Sequence, residues 1–163
     1  MANQDSIWAA AHDTSHDHEV LLSRERSPGV WVVTLHDPET HNTLTPTMMG
    51  AIARELDRLN SLESDEIKVI ILNATGKSFC AGIDINAIRD NPGFAAYWVR
   101  AVDPYYAVQQ SRVPIIGCVQ GAALTGGFEI AMSCDIVLAS KEAVFRDNHA
   151  MCKLRPPLAT RQH

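Results

Sequence analysis

The chain has 163 residues, of which 46% are hydrophobic and 20% charged, and its formal net charge is −5. This size and composition are typical of one globular domain, and an acidic balance without a basic cluster argues against nucleic-acid and membrane-surface partners. No apolar run approaches the roughly 18 to 20 residues that a membrane-spanning helix needs.

The first part of the chain combines a polar segment with a predicted hairpin. Residues 1–17 are polar and rich in Asp, Ser and His, a composition that favours a disordered N-terminal segment. Two alternating apolar runs, 20–24 and 30–35, flank Ser27-Pro28-Gly29. Proline and glycine at such a position are turn residues, so we expect two antiparallel strands.

The next predicted element is a helix that begins at Thr45-Pro46, because Thr is a good N-cap and Pro fits the first helical position. Its apolar residues recur at helical spacing and predict one buried face: Met48, Met49, Ile52, Leu56 and Leu59.

The rest of the chain alternates between apolar runs of strand length and stretches with helical periodicity. Strands are predicted at 67–72, 115–119 and 136–139, and helices at 84–89, 95–110 and 127–133. This alternation predicts the α/β class.

A paired glycine, Gly126-Gly127, follows the strand 115–119 and precedes Phe128-Glu129 at the start of a predicted helix. Glycines let the main chain approach a ligand closely, and the first N–H groups of a helix have no internal partner. A carboxylate beside such an anion site could serve as a general acid or base. Taken alone, the segment favours the alternative of a tight strand-to-helix turn in which Glu129 only caps the helix.

A second glycine-bearing segment, SFCAGIDI at residues 78–85, follows the strand 67–72 and could supply a second N–H donor. Together with HNTL at 41–44, the block 114–140 and Ala143-Val144-Phe145, it resembles the enoyl-CoA hydratase/isomerase (crotonase) family. Members of that family carry a CAGxD-like segment followed by NGxAxGGGxE. The resemblance implies a ClpP/crotonase ββα spiral, here incomplete at its C-terminal side, with residues 18–150 as the core.

The resemblance implies an acyl-CoA thioester as substrate, with coenzyme A entering as part of it and no separate cofactor. By position, the main-chain N–H groups of Ile83 and Gly126 would form an oxyanion hole. Thr125 stands where relatives often have another glycine. The neighbouring substrate-binding positions would be Ala81, Gly82, Asp84 and Gly127.

Glu129 matches the first of the two catalytic glutamates of family hydratases, while the second glutamate falls at His149. An imidazole can also exchange protons near neutral pH, and some members carry a D-x-H-A variant similar to Asp147-Asn148-His149-Ala150. The alternative for His149 is a surface residue without a catalytic role. Asp84 and Asp135 are expected to cap or brace turns, although Asp84 lies close to the expected coenzyme A entrance.

The resemblance ends after Ala150, and residues 151–163 contain a double proline and a basic end, so we expect an unrelated tail. Two hypotheses follow. One is an enzyme that hydrates a 2-enoyl-CoA; a double-bond isomerase or a thioester hydrolase would use the same fold and the same oxyanion hole. The other is a catalytically inactive truncated fragment that only associates with full-length relatives, which are expected to be trimer-based homo-oligomers.

The four cysteines, at positions 80, 118, 134 and 152, form no C-x-x-C pair, and three of them fall in predicted buried elements. We therefore predict reduced core cysteines and neither disulfides nor a metal site. The first residues show neither the charged start of a signal peptide nor the Arg-rich face of a transit peptide, so we expect no targeting segment there. The cytosol is the expected compartment, with a mitochondrial or peroxisomal location left open.

Overall fold

The computed structural model of the chain describes residues 13–90 and 103–148. Eight strands run through these residues: β1 Leu21–Ser27, β2 Gly29–Leu35, β3 Ile67–Ala74, β4 Ser78–Cys80, β5 Ile115–Val119, β6 Ala122–Leu124, β7 Ile136–Ala139 and β8 Val144–Arg146. The α-helices described are α1 Asp17–Val20, α2 Pro46–Asn60, α3 Ile85–Asp90, α4 Pro104–Gln109 and α5 Gly126–Ser133, and a 3₁₀ turn spans Pro38–Thr40.

The larger sheet has five strands in the order β1-β2-β3-β5-β7. Strand β1 runs antiparallel to β2, as the predicted hairpin requires, and the other neighbours are parallel. Gly29 begins β2 at a φ of 78°, a conformation that glycine adopts without steric cost.

The smaller sheet contains the parallel strands β4, β6 and β8, which the sequence did not predict because each has only three residues. Each of them follows a strand of the larger sheet after a short connection: β4 follows β3, β6 follows β5, and β8 follows β7. The chain thus repeats a strand-strand-helix unit, which is the predicted ββα arrangement.

Helix α2 agrees with its prediction. The Thr45 hydroxyl accepts a hydrogen bond from the Met48 N–H at 3.1 Å, and Pro46 occupies the first turn. All five residues of the predicted apolar face are buried in the core. The cap fixes where the helix starts, and burial of that face holds it against the sheet.

Two predictions need correction. The helix predicted over 95–110 is wrong at residue 103, because Asp103 has extended backbone and caps a helix that begins at Pro104; the part before 103 lies outside the described residues. The disorder predicted for 1–17 does not extend to Asp17, which opens α1 and accepts a hydrogen bond from the Arg54 guanidinium at 2.6 Å. Residues 1–12 also lie outside the described part of the chain.

Asn42, in the HNTL segment, links its own loop to the connection between β3 and β4. It is fully buried, and its Nδ2 donates to the carbonyl oxygens of Thr75 and Ser78, each at 2.9 Å. Its Oδ1 accepts from the Asp37 N–H at 2.8 Å. The residue has a φ of 56°, which Asn tolerates better than most residues. Asn42 therefore ties the loop before α2 to the connection between β3 and β4.

We expect Asn42→Ala to lower the free energy of unfolding by about 3 kcal/mol, because it leaves buried backbone groups without their partners. Urea unfolding measures the change. Asn86→Ala, which truncates an exposed amide, serves as the control and should change stability by less than about 0.5 kcal/mol. Equal effects of the two substitutions would contradict the bracing role of Asn42.

Strands β7 and β8 are the last described strands of their sheets, and they carry exposed apolar residues. The side chains of Ile136, Leu138 and Val144 are each about half exposed.

Cys80, Cys118 and Cys134 are free thiols within the described residues. No helix in the described part of the chain has the length and apolar character needed to cross a membrane.

Candidate active site

The two glycine-bearing segments meet at the same end of the smaller sheet. Strands β4 and β6 are parallel neighbours, with Cys80 opposite Ala123, so their exits lie side by side. A Cβ atom placed on Gly82 would lie 3.3 Å from the Gly126 nitrogen. Gly82 has a φ of 94°, which a side chain would strain. The two segments predicted to supply the N–H donors therefore pass close to each other.

The backbone pairing of Ile83 leaves its N–H directed away from Leu44. The Leu44 N–H donates to the Gly82 carbonyl at 2.8 Å, and the Asp84 N–H donates to the Leu44 carbonyl at 3.3 Å. In a parallel bridge the groups of the middle residue point to the opposite side. The N–H of Ile83 is thus not used by this pairing, as an oxyanion donor requires.

Gly126 is the first residue of α5, where backbone N–H groups have no acceptor inside the helix. A Cβ atom on Gly126 would lie 2.6 Å from the Tyr105 hydroxyl and 2.9 Å from Leu44 Cδ1. A Cβ atom on Gly127 would overlap the Cys80 carbonyl. Gly127 therefore leaves no room for a side chain against the β4 backbone, and Gly126 packs closely against the Tyr105 and Leu44 side chains.

Thr125, directly before the glycine pair, has an unusual backbone conformation. Its φ is 48° and its ψ −110°, and the residue is buried. A β-branched residue at positive φ is a genuine outlier, and such strain costs of order 1 to 3 kcal/mol. The Thr125 N–H donates to the Arg146 carbonyl at 2.8 Å, which fixes the turn despite the strain.

We expect Thr125→Gly to raise the free energy of unfolding by about 1 kcal/mol, because relief of the positive-φ strain outweighs the added entropy of glycine in the unfolded chain. Thr125→Ala is the matched control: it also removes the hydroxyl but keeps the Cβ, so it should not stabilise the protein. Denaturant unfolding of the two variants separates the effects. A destabilised Thr125→Gly variant would argue against strain at this residue.

Glu129 lies one turn into α5 and is only 2% exposed. Burial raises the pKa of this carboxyl from 4.5 to about 8, and the negative charges of Asp147 and Asp103 raise it as well, whereas the influence of Tyr105 lowers it. At neutral pH the carboxyl is therefore largely protonated. A buried carboxyl with a pKa near the working pH can donate a proton and take one back.

Three residues near Glu129 were not among the predicted site residues: Asp147, Tyr105 and Asp103. Asp147 is brought to Glu129 by the end of β8, where Phe145 contacts Phe128 edge-to-face with ring centroids 6.3 Å apart. A signal for the other two was present, since Asp103-Pro104 is a typical helix start. Asp147 stands inside the D-x-H-A segment, where only His149 was considered.

The remaining predicted site residues have structural contacts. The Asp84 carboxylate accepts from the Asn86 N–H at 2.9 Å and so caps α3, while Asp135 accepts from the Ile115 N–H at 2.8 Å. The Ala81 N–H donates to the His41 carbonyl at 3.0 Å. These contacts agree with the expected bracing of turns. His149 lies outside the described residues.

A family model described as "Enoyl-CoA hydratase/isomerase" matches residues 25–161, which is most of the chain. The chain belongs to the enoyl-CoA hydratase/isomerase family. The match extends beyond Ala150, where the sequence resemblance stopped, and the boundaries 18–150 and 151–163 stay predictions. Within the residues described, no group of three or more His, Cys, Asp or Glu side chains gathers as metal ligands would.

The family relationship is supported by named relatives. "Probable enoyl-CoA hydratase 1, peroxisomal" of Arabidopsis thaliana is 34% identical over 144 residues, covering 88% of this chain and 53% of the relative. "Probable enoyl-CoA hydratase" of Rhizobium meliloti (strain 1021) is 35% identical over 130 residues, covering 78% and 49%. The chain thus spans about half the length of the curated relatives it matches.

The fold is shared with solved structures of the family. The structure of enoyl-CoA hydratase from Mycobacterium tuberculosis H37Rv superimposes with a TM-score of 0.71 at 31% identity, covering 85% of this chain and 56% of that one. The predicted fold class, α/β with the crotonase ββα spiral, is confirmed. The chain spans about half of that spiral.

Proposed function

We propose that this chain carries the acyl-CoA-binding and proton-transfer part of an enoyl-CoA hydratase. The observation that supports this function best is the burial of Glu129 one helical turn after Gly126, the residue that packs near the Gly82-Ile83 strand exit. A hydratase needs both elements at one place, because negative charge develops on the thioester oxygen while a proton moves at the neighbouring carbons.

The chemistry follows from these two elements. The N–H groups of Ile83 and Gly126 would hold the thioester oxygen and stabilise it as electrons move onto it from the enoyl double bond. The oxygen of water bonds to C3, and a proton is delivered to C2 as the carbonyl re-forms. The protonated carboxyl of Glu129 can supply the C2 proton, and a second base takes the proton that water loses. Asp147 and the predicted His149 are the candidates for that base.

The same oxyanion site would also serve a double-bond isomerase or a thioester hydrolase. These reactions differ from hydration in where water enters. A hydrolase must direct water to the thioester carbonyl and an isomerase must exclude water. The raised pKa of Glu129 suits proton exchange at carbon, which hydration and isomerisation share. We place hydration first because the similar relatives are named as probable enoyl-CoA hydratases.

A second candidate function is a catalytically inactive fragment that associates with full-length relatives, which are expected to be trimer-based. Two observations favour it: the chain spans about half the length of its relatives, and apolar residues of β7 and β8 are exposed at the sheet edges. Exposed apolar patches often mark surfaces that another chain covers.

The Arabidopsis relative is named as peroxisomal, so that compartment is a candidate beside the expected cytosol.

Thermal unfolding of the purified chain with and without a saturating short acyl-CoA tests the proposed site. A ligand that binds only the native state adds about 2.7 kcal/mol of stability at a hundred times its dissociation constant. A cooperative transition that moves to higher temperature supports the enzyme function, and turnover of a 2-enoyl-CoA then identifies the reaction. A transition indifferent to acyl-CoA, together with co-purification of a full-length relative, favours the fragment.

A further inference from the structure

Strand β7 forms an edge of the larger sheet, and part of its main chain faces away from the other described strands. On its inner side β7 pairs with β5, and the N–H of Ser140, directly after β7, donates to the Val119 carbonyl at 2.9 Å. Main-chain groups alternate in direction along a strand, so those of Leu138 also face β5. The N–H and carbonyl groups of Val137 and Ala139 therefore point to the open edge.

This edge lacks the features that usually protect a strand from pairing with another chain. The four residues of β7, IVLA, include no proline and no charge, and they pair with β5 without a break in register. By contrast, β1 at the opposite edge of the same sheet has three charged residues in succession and a shift in register between Glu25 and Ser27. Charges and bulges are common protections of edge strands. Strand β7 is therefore the unprotected edge of the larger sheet.

The side chains on one face of β7 are apolar and exposed. Ile136 is 49% and Leu138 56% exposed, and they lie opposite Ile116 and Cys118 of β5. Val137, on the other face, packs against the hydrophobic core. An open backbone edge beside exposed apolar side chains is the surface that a further strand covers when it adds to a sheet.

We propose that β7 pairs antiparallel with β7 of a second copy of this chain, about a two-fold axis that passes beside Leu138. Only the groups of Val137 and Ala139 face outward, so Val137 of one copy exchanges both N–H···O bonds with Ala139 of the other, and the axis repeats this pair. The two Leu138 side chains meet at the axis in a non-hydrogen-bonded pair, where opposite side chains are closest. The two five-stranded sheets thereby become one continuous sheet.

The charges on either side of β7 favour this register and this partner. Asp135 stands three residues before Leu138 and Lys141 three residues after it, and both are exposed. A two-fold axis at Leu138 therefore places Asp135 of one copy opposite Lys141 of the other, at both ends of the strand pair. An axis at Val137 or Ala139 loses this match. A two-fold interface requires a surface that is complementary to itself, and β7 with its flanking charges has this property.

Asp135 is also held in place at the start of β7. From the bend before the strand, its N–H donates to the Ile115 carbonyl at 3.0 Å, and its Oδ2 accepts from the Ile115 N–H at 2.8 Å. These bonds fix the carboxylate at the end of the strand and leave Oδ1 to face the lysine of the second copy.

Sedimentation velocity of the full chain, whose mass is 17.9 kDa, tests the proposal at concentrations up to about 0.5 mM, because small interfaces bind weakly. We expect a reversible monomer–dimer equilibrium. Leu138→Lys places two ammonium groups at the axis and should raise the dissociation constant of the dimer roughly a hundredfold. Leu22→Lys is the matched control, since Leu22 is 42% exposed on β1 at the opposite edge, and it should leave the constant unchanged.

Three results would overturn the proposal: a monomer at every concentration, a trimer or larger assembly, or an equal effect of the two lysine substitutions. The first of these is the result expected if another segment of the same chain covers the β7 edge, or if only a longer relative binds there.

Charge reversal tests the register. Lys141→Asp alone sets aspartates against each other at both ends of the strand pair, and Asp135→Lys alone does the same with lysines. Each variant should therefore dimerise about tenfold more weakly than wild type. An equimolar mixture of the two variants restores an opposite charge at both ends and should dimerise as tightly as wild type. A mixture that dimerises no better than its components would overturn the proposal.

These outcomes are separate from the proposed function. The comparison of Leu138→Lys with Leu22→Lys decides the dimer even if Asp135→Lys does not fold, which circular dichroism would show. Neither Gly126 nor Glu129 belongs to β7, so Leu138→Lys should bind a short acyl-CoA as wild type does. A chain that binds no acyl-CoA but dimerises as described would contradict the proposed function and still support the β7 interface.

Discussion

Glu129→Gln is expected to lower the turnover of a short 2-enoyl-CoA by about 10²- to 10⁴-fold, the usual contribution of a general acid or base. The amide has nearly the same shape as the carboxyl but cannot transfer the proton, so acyl-CoA affinity should be retained. Steady-state kinetics and a direct binding measurement test both parts. Glu142→Gln, which changes an exposed glutamate, is the control and should leave turnover and binding as they are.

The same variant should also change how stability depends on pH. Because the folded state raises the pKa of Glu129 from 4.5 to about 8, it binds more protons than the unfolded chain between these values. Stability contributed by the protonated carboxyl is therefore lost as pH rises through this range, with a slope of at most about 1.4 kcal/mol per pH unit. Glu129→Gln should flatten this slope. Unchanged turnover with an unchanged slope would refute the mechanism.

The fold could be predicted from the sequence wherever an element is long and periodic. The apolar spacing of α2 and the apolar run of β3 each identify their element, since burial of a long face outweighs local preferences. The smaller sheet could not be predicted, because strands of three residues such as Ser78–Cys80 carry no readable periodicity. They pair with each other because each one follows a strand of the larger sheet, and those preceding strands lie close together in that sheet.

The candidate site could be predicted in part for a similar reason. Glycines mark where the backbone must pass closely, so Gly82 and Gly126 were visible in the sequence, and the structure places their segments in contact. Tyr105 and Asp147 were not predicted, because they reach Glu129 from elements distant in the chain. In the sequence, a tyrosine in a short helix cannot be told from an ordinary core residue, because only the tertiary structure shows where its hydroxyl lies.

The strain at Thr125 also depends on the fold. A threonine before two glycines suggests only a stiffer turn, whereas the observed positive φ arises because the turn between β6 and α5 must bring Gly126 against Gly82. The surrounding hydrogen bonds keep that conformation. Strain of this kind is often found at functional sites, which agrees with the position of Thr125 directly before the proposed donor.

Gly126→Val is expected to be the most damaging single substitution in the site. Its Cβ would lie 2.6 Å from the Tyr105 hydroxyl and 2.9 Å from Leu44 Cδ1, and the two γ-methyl groups would add further overlap. Overpacking of this kind costs about 1 to 3 kcal/mol of stability. Displacement of the donor N–H should lower turnover by a further 10²- to 10³-fold, the typical cost of losing one oxyanion donor. Gly126→Ala should fall between wild type and Val.

Gly117→Val separates the loss of stability from the loss of the donor. A Cβ on Gly117 would lie 3.0 Å from Cys134 Sγ, on the larger sheet and away from the site, so this variant is also overpacked. We expect both valine variants to unfold at lower urea concentration, but only Gly126→Val to lose acyl-CoA affinity in its folded state. Equal acyl-CoA affinity in the two variants would show that the Gly126 N–H does not contact the thioester, since overpacking alone would then explain the damage.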